Sequence, residues 1–433
     1  MTNQNFIDAF RHSSPYIRAH QGNTFVISIN GHLFDHPQLT NLIHDLALLN
    51  SLGIKLVIAF GARPQIDKSL KHAKLPNDYH HNIRVTTQAA MDVIVPIIGS
   101  MTLDLQARFT YSLSNTPMAG TEIKAINGNF ITAKPVGIRD GIDHQHTGQV
   151  RKVNTKAIGL LLDMDNIILL PPIGFSPTGE IFNLNVEEVA QSCAIALQAN
   201  KLIYGINEPA VNASKDLTTE LSPDDARAAV INNPDLQHTL NAAALACDNG
   251  INRTHIINGT EDGALIKELF TCDGSGTLVT QQPFEQIRSA SVDDITGILQ
   301  LIEPLEAEGI LIRRSREHIE REIDDFVVIE RDNMVIGCAA LHLFPNDATA
   351  ELACLAIDTN YHRANRGDNL LQHMTLLAQQ DNIQRILVFT TQSSHWFIER
   401  GFAETDLEKI PVERAELYNY QRNSKILLKA IQI

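Results

Sequence analysis

The sequence predicts an α/β protein of two domains: an open, mostly parallel sheet between layers of helices, then a smaller mixed α/β domain. Three observations predict it. Over the first two thirds, short apolar runs alternate with amphipathic helical patterns, the signature of strand–helix–strand units. The alternation stops in the polar stretch Thr277–Phe284. Beyond it, several strand runs share a compact segment with a long amphipathic helix. The length of 433 residues also exceeds what one ordinary core holds, so domains are expected over residues 1–280 and 285–433.

In the first domain, strands are predicted at Phe25–Ile29, Leu56–Phe60, Ile123–Asn127, Ile167–Ile173, Leu202–Ile206 and His255–Asn258. Each is apolar and bounded by Gly, Asn or Pro. Helices are predicted at Leu39–Leu52, with Leu42, Ile43, Leu46 and Leu49 on one face, and at Val186–Ala199, with Val189, Cys193, Ala196 and Leu197. Open sheets of this kind bind ligands beyond the carboxyl ends of their strands. In the second domain, Ser291 is an N-cap for a helix carrying Ile295, Ile298, Leu299 and Ile302. Strand runs follow at Phe326–Glu330, Val335–Leu343, Glu351–Ile357 and Ile386–Thr390, with a helix over Asn369–Gln380.

Charge narrows the partners. The formal net charge is −15, with 35 basic residues scattered among 50 acidic ones. A nucleic-acid surface needs clustered Lys and Arg, so no nucleic acid is expected. Residues 1–14 lack a basic start followed by an apolar run, and apolar stretches such as Ile167–Pro172 are short, so neither secretion nor membrane attachment is expected. Five cysteines without a C-x-x-C pair fit reduced thiols. A soluble cytoplasmic protein is the expectation. His80–His81, His144 with His146, and His32 with His36 lack further ligands at informative spacing, so no metal is expected.

The chemistry-bearing order in the second domain is strand, loop, helix: Glu351–Ile357, Tyr361–Asp368, Asn369–Gln380. A loop opening a helix offers unpaired N–H groups and the positive end of the helix dipole to an anion such as a pyrophosphate. Arg363 and Arg366 add positive charge.

This segment resembles the GNAT acyltransferases, whose pyrophosphate loop runs Gln/Arg-x-x-Gly-x-Gly/Ala. Here His362 stands for the first position, Asn365 for the first Gly, and Gly367 for the last position. The stretch His395 to Phe402 is similar to the family's aromatic-x-x-x-Gly-Phe segment. Three further segments occur in the same order in bacterial N-acetylglutamate synthases: Ile310 to Glu317, Glu351 to Ala356, and Tyr418 to Lys425. The resemblance implies acetyl transfer from acetyl-CoA to the α-amino group of L-glutamate, the first step of arginine biosynthesis. It implies acetyl-CoA contacts at Cys354, Leu355, Ala356, Ile357, His362, Asn365, Arg366, Gly367 and Asp368. Arg314 and Arg422 would hold the two carboxylates, with Ser424 adding a hydroxyl donor. Arg suits that task because it grips a carboxylate bidentately. Glu351 would take the amine proton, directly or through water. Backbone N–H groups of Cys354–Ile357 would polarise the thioester oxygen, and Thr390 would serve the leaving thiolate. Cys354 has no paired His or Asp motif, so a buried structural thiol and direct transfer are expected.

The first domain resembles the amino acid kinase family, in its acetylglutamate kinase branch. The family's phosphoryl-transfer Lys before a Gly pair is replaced by Ser28-Ile29-Asn30-Gly31, and its second glycine-rich turn by Gly61-Ala62-Arg63-Pro64. Side chains at Ala62 and Arg63 obstruct a phosphate's approach to the backbone, so kinase activity is not expected. Arginine-sensitive members carry an N-terminal helix with a Tyr and a late His…Glu-Asp-Gly…Gly-x-Gly-Thr segment. By that resemblance Tyr16, Lys201, His255, Glu261 and Gly276 form an L-arginine effector site, and a ring-shaped homo-oligomer, a hexamer, is implied. Three other readings compete: an acetylglutamate kinase, a non-catalytic arginine sensor with a decayed acyltransferase domain, and an acetyltransferase for a protein amine. Ser28–Gly31 opposes the first, and the Glu351, Arg314 and Arg422 set opposes the others.

Overall fold

One eight-stranded sheet organises the first unit in the computed structural model of the chain. In chain order its strands are β1 (Thr24–Ile29), β2 (Lys55–Phe60), β3 (Ala125–Asn127), β4 (Ile167–Leu170), β5 (Lys201–Ile206), β6 (Glu220–Leu221), β7 (Thr254–Asn258) and β8 (Thr277–Val279). They lie in the order β6-β8-β7-β5-β1-β2-β4-β3. Every pairing is parallel except that of β7 with β8. The chain divides into two compact units, Met1–Gln282 and Pro283–Ile433. The structure describes residues 3–114, 122–207, 220–271, 274–281, 285–331, 334–361, 365–416, 418 and 422–431.

The strands are apolar on both faces because helices cover both. Phe25, Ile27, Ile58 and Phe60 share one core with α1 (Asn3–His20), α2 (Leu39–Ser51), α3 (Gln88–Ser114) and a helix later in the chain. Val26, Val57, Ala59 and Tyr204 fill the other with α4 (Val186–Leu197) and α5 (Gln237–Asp248). Successive strand residues therefore serve opposite cores. Helix α3 is long and apolar enough over Gln88–Thr110 to pass for a membrane span by length and composition. Its Ile94, Ile98 and Leu105 are buried in the first core, so packing accounts for their apolarity. The later helix is α6 (Ala264–Phe270), on which α1 docks: His20 Nε2 lies 2.8 Å from the Leu269 carbonyl.

Several elements of this unit carry no sequence expectation. They are a four-stranded sheet (Ile131–Pro135, Gly148–Val153, Ile173–Phe175, Ile181–Asn183) and the hairpins Tyr79–His80/Ile83–Arg84 and Ile138–Arg139/Ile142–Asp143. Strands this short and half exposed leave no clear alternation.

The second unit is a seven-stranded sheet of β9 (Glu285–Ser289), β10 (Phe326–Arg331), β11 (Met334–Phe344), β12 (Thr349–Ile357), β13 (Arg385–Thr390), β14 (Ala403–Glu404) and β15 (Lys425–Ala430). Their order is β9-β10-β11-β12-β13-β15-β14. Only β12 and β13 pair in parallel, and only from Thr349–Arg385 to Glu351–Leu387. Beyond Glu351 that pairing ends, and this unpaired stretch positions the site. Ser291 closes a capping box with Asp294 at the entry to α7 (Ile295–Ala307). The helix expected from Asn369 starts three residues earlier, as α8 (Arg366–Gln380).

Candidate active site

Glu351 is the third residue of β12, in the middle of the sheet, and only 7% exposed. Its register places it opposite His342 on one side and Leu387 on the other, at the last β12–β13 pair. A solvated edge carboxylate is therefore ruled out. Arg414, on α10 (Val412–Ala415), grips both oxygens: Nη2 donates to Oε1 at 3.0 Å and Nε donates to Oε2. That guanidinium also lies 4.1 Å from the Phe389 ring centroid. The sequence offered no sign of Arg414, which lies 63 residues away in a polar stretch.

Past Glu351, β12 bulges. Cys354 and Leu355 together face Ala339 of β11, where the register slips by one. Cys354 has φ +50, a conformation costing a non-Gly residue about 1–2 kcal/mol. The bulge re-aims the backbone from Cys354 to Ile357 on the side where β13 no longer pairs. The thiol is no nucleophile: burial pushes it up to about 11, partly offset by Arg314.

The same end of the sheet gathers the other residues. Thr390 closes β13 and pairs in register with Lys425, the neighbour of Ser424. Both Thr390 and Ser424 are buried. Thr390 Oγ1 accepts the Ser393 N–H at 2.9 Å, at the start of α9 (Ser394–Glu399), which leaves its own O–H free to donate elsewhere. The Ser424 carbonyl accepts from the Tyr418 hydroxyl at 2.8 Å.

Arg314 sits in the loop after α7, just before Ser315, which N-caps the helix Arg316–Arg321. Its N–H donates to Glu306 Oε1 at 2.8 Å. Its Nε is buried and has no hydrogen-bond partner among the described residues. Arg422 Nη2 donates to the carbonyls of Ile310 and, at 3.3 Å, Gly309, gripping the loop that carries Arg314. Burial and then the charge of Arg314 hold the Arg422 guanidinium below its usual range. Two guanidiniums brought together in this way favour an anion between them.

At α8 the residue that replaces the pyrophosphate-loop glycine explains itself. Asn365 has φ +54 and ψ +24, the left-handed region that Asn tolerates best after Gly. Gly367 packs beneath Trp396: a Cβ there would lie 3.2 Å from Cζ2. Two expectations change. Arg366 is buried, and its guanidinium is spent on Glu285 (Nε to both oxygens at 2.8 Å) and on the Tyr361 carbonyl. Asp368 pairs with Arg400, Nη2 at 2.9 Å, so what it offers an anion is its N–H alone. His362 lies outside the described residues.

In the first unit, Lys201, His255 and Gly276 meet, but Glu261 does not join them. Glu261 pairs on the surface with Lys267. The carboxylate in the cluster is Glu268 of α6, which sequence reasoning missed. Lys201 Nζ lies 3.2 Å from His255 Nε2, and His255 Nδ1 lies 2.6 Å from Glu268 Oε1. The N–H groups of Ser275 and Gly276 donate to Glu268 Oε2 at 2.6 and 2.8 Å. Burial, reinforced by Lys201, brings His255 down to about 4, so it is neutral at pH 7. Lys201 then donates to Nε2, and Nδ1–H donates to Glu268. Burial alone would raise Glu268, but His255 and the two amides outweigh it and bring it to about 2. Tyr16, half buried on α1, packs on the core that α6 joins.

Comparison with known proteins places this geometry. The amino acid kinase family matches residues 23–258 and the GNAT acetyltransferase domain residues 322–404. An amino-acid acetyltransferase of Pseudomonas putida (strain GB-1) is 46% identical over 98% of this chain and 99% of its own. One of Pseudomonas fluorescens is 44% identical over the same shares. The crystal structure of N-acetylglutamate synthase from Neisseria gonorrhoeae, complexed with coenzyme A and L-arginine, is 34% identical with a TM-score of 0.86, covering 99% of this chain and 100% of that one. The same enzyme complexed with coenzyme A and N-acetyl-glutamate aligns with a TM-score of 0.63. The chain therefore belongs to the amino-acid acetyltransferase family, with an amino acid kinase fold followed by a GNAT acetyltransferase domain.

Proposed function

We propose that the second unit transfers the acetyl group of acetyl-CoA to the α-amino group of L-glutamate, and that L-arginine inhibits this reaction by binding the first unit. One observation carries the acceptor assignment. Arg314 and Arg422 adjoin each other near Glu351, and Arg314 Nε is buried without a partner among the described residues. A dicarboxylate answers that arrangement; a protein amine does not.

Glutamate's amine arrives protonated, with a pKa of about 8. Glu351 accepts its proton, directly or through water, while Arg414 balances the charge and fixes the carboxylate. The amine attacks the thioester carbonyl, whose oxygen is met by N–H groups of the bulged Cys354–Ile357 edge. The tetrahedral intermediate expels the CoA thiolate, and the Thr390 hydroxyl is the donor placed for it. The first-turn N–H groups of α8 receive the pyrophosphate. In the first unit, Glu268 takes arginine's guanidinium, Tyr16 stacks on it, and Lys201 reaches its carboxylate. The match to a relative complexed with coenzyme A and L-arginine supports this reading, under which the chain would act at the entry to arginine biosynthesis. A homo-oligomer follows from the family resemblance.

The test is thiol release from acetyl-CoA by the full chain. Release should depend on L-glutamate and fall by about 10²–10⁴ in Glu351→Gln. Release with a lysine-bearing peptide and none with glutamate would favour the protein-amine reading.

A further inference from the structure

Two hairpins of the first unit meet tip to tip and bring together groups that acetyl transfer does not use. Both turn through two residues of positive φ: His81 (+49) and Asn82 (+61) in one, Asp140 (+51) and Gly141 (+80) in the other. These are type I′ turns, where Asn, Asp and Gly are the usual residues; His81 is the unusual one. The flanking segments are zipped together. His146 N–H donates to the Thr86 carbonyl at 2.9 Å, and Thr147 Oγ1 donates to the Arg84 carbonyl at 2.5 Å.

One donor atom each from His80, His81 and Asp140 lies within 4.8 Å of the others. His81 Nε2 and Asp140 Oδ2 are 3.3 Å apart. Ligands about 2.0–2.1 Å from a tetrahedral metal lie about 3.4 Å from each other. A second, independent observation points the same way. His144 is fully buried, its ring centroid 6.1 Å from that of His80. Its Nδ1 lies 3.4 Å from the Arg84 carbonyl, and its Nε2 is buried with no hydrogen-bond partner among the described residues. An imidazole buried beside His80 with one nitrogen left over backs the cluster with an unsatisfied polar group.

We propose that these hairpins form a divalent transition-metal site with His80, His81 and Asp140 as ligands and water in the fourth position, His144 packing behind His80. Imidazole and carboxylate donors select zinc, nickel or copper over magnesium or calcium. Tyr79, Asn82, Ile83 and Arg84 of the first hairpin wall the cleft beyond β1 and β2. A bound ion therefore fixes that wall.

The experiment uses the untagged full chain, stripped with a chelator and titrated with Co2+ and Zn2+. Stoichiometric Co2+ uptake with the ligand-field absorption of a four-coordinate site is expected. His80→Ala, His81→Ala and Asp140→Ala should each weaken binding by more than about tenfold. His72→Ala, exposed on another helix, should bind as the parent does. Circular dichroism and retained acetyl transfer report folding of each variant. No stoichiometric uptake, or uptake unchanged in the folded His81→Ala/Asp140→Ala double variant, overturns the proposal.

Discussion

Arg314 and Arg422 repel each other, and the dicarboxylate we propose as acceptor would offset that repulsion. Truncating a partner in a buried charged pair costs about 2–5 kcal/mol, so Arg422→Ala should lower kcat/KM for glutamate by about 10²–10³. KM for acetyl-CoA should stay within about twofold. Arg422→Lys should recover little, since a point charge cannot make the forked contact. Steady-state kinetics with each substrate varied in turn decide this. The buried His255 makes a different prediction. Its ordinary value is 6.5 and its folded value about 4. Between these, the unfolded chain takes up a proton that the folded chain refuses, so stability falls as pH drops through that window and is unaffected above it. From pH 7 to 5 the loss is about 2 kcal/mol. His255→Asn should flatten the denaturant midpoint over that range. Glu268 adds a separate loss lower down, because its contribution is present above 4.5 and disappears toward 2. Of the residues legible in the sequence, Glu351 on β12, Thr390 on the neighbouring β13 and Ser424 just before β15 lie together in one sheet, and Arg422 grips the loop that leads to Arg314. Glu268 was not legible, because it lies within α6, just after the Glu261-Asp262-Gly263 triplet that carries the family resemblance. Arg414 and Glu285 were not, because their partners lie 63 and 81 residues away.

At the scale of elements, the cofactor site we propose is formed by β12 and α8 together. The bulge at Cys354 turns N–H groups into the opening left by β13, and Asn365 turns the chain into α8. The strand cores were readable from apolar runs, since both faces of the first sheet are covered. The small hairpins and the four-stranded sheet were not, and the metal ligands we propose stand on those hairpins. Arg366 separates a structural from a binding role. Removing one partner of a buried ion pair costs about 3–5 kcal/mol. Arg366→Gln should therefore lower the unfolding free energy of the second unit by about that amount while leaving KM for acetyl-CoA near the parent's in protein that remains folded. A selective rise in that KM at unchanged stability would return Arg366 to the phosphate.

Across the whole molecule, we propose a division of labour in which the second unit transfers acetyl and the first, with Ser28-Ile29-Asn30-Gly31 at the end of β1, binds the effector. At the turn after β1, a Cβ on Gly31 would stand 2.7 Å from Pro64 Cδ, so this turn and the one after β2 pack on each other. Gly276 is equally committed to its place: a Cβ there would lie 2.4 Å from the Ile256 carbonyl oxygen. Gly276→Ala must move the amides that hold Glu268. The measurement that bears most directly on this division is glutamate-dependent thiol release across an arginine titration, in the full chain and in Glu268→Gln. The account predicts that arginine slows the parent, and that Glu268→Gln turns over at a similar basal rate with the arginine response lost. An unchanged arginine response in Glu268→Gln, or no glutamate-dependent release in the parent, would contradict it.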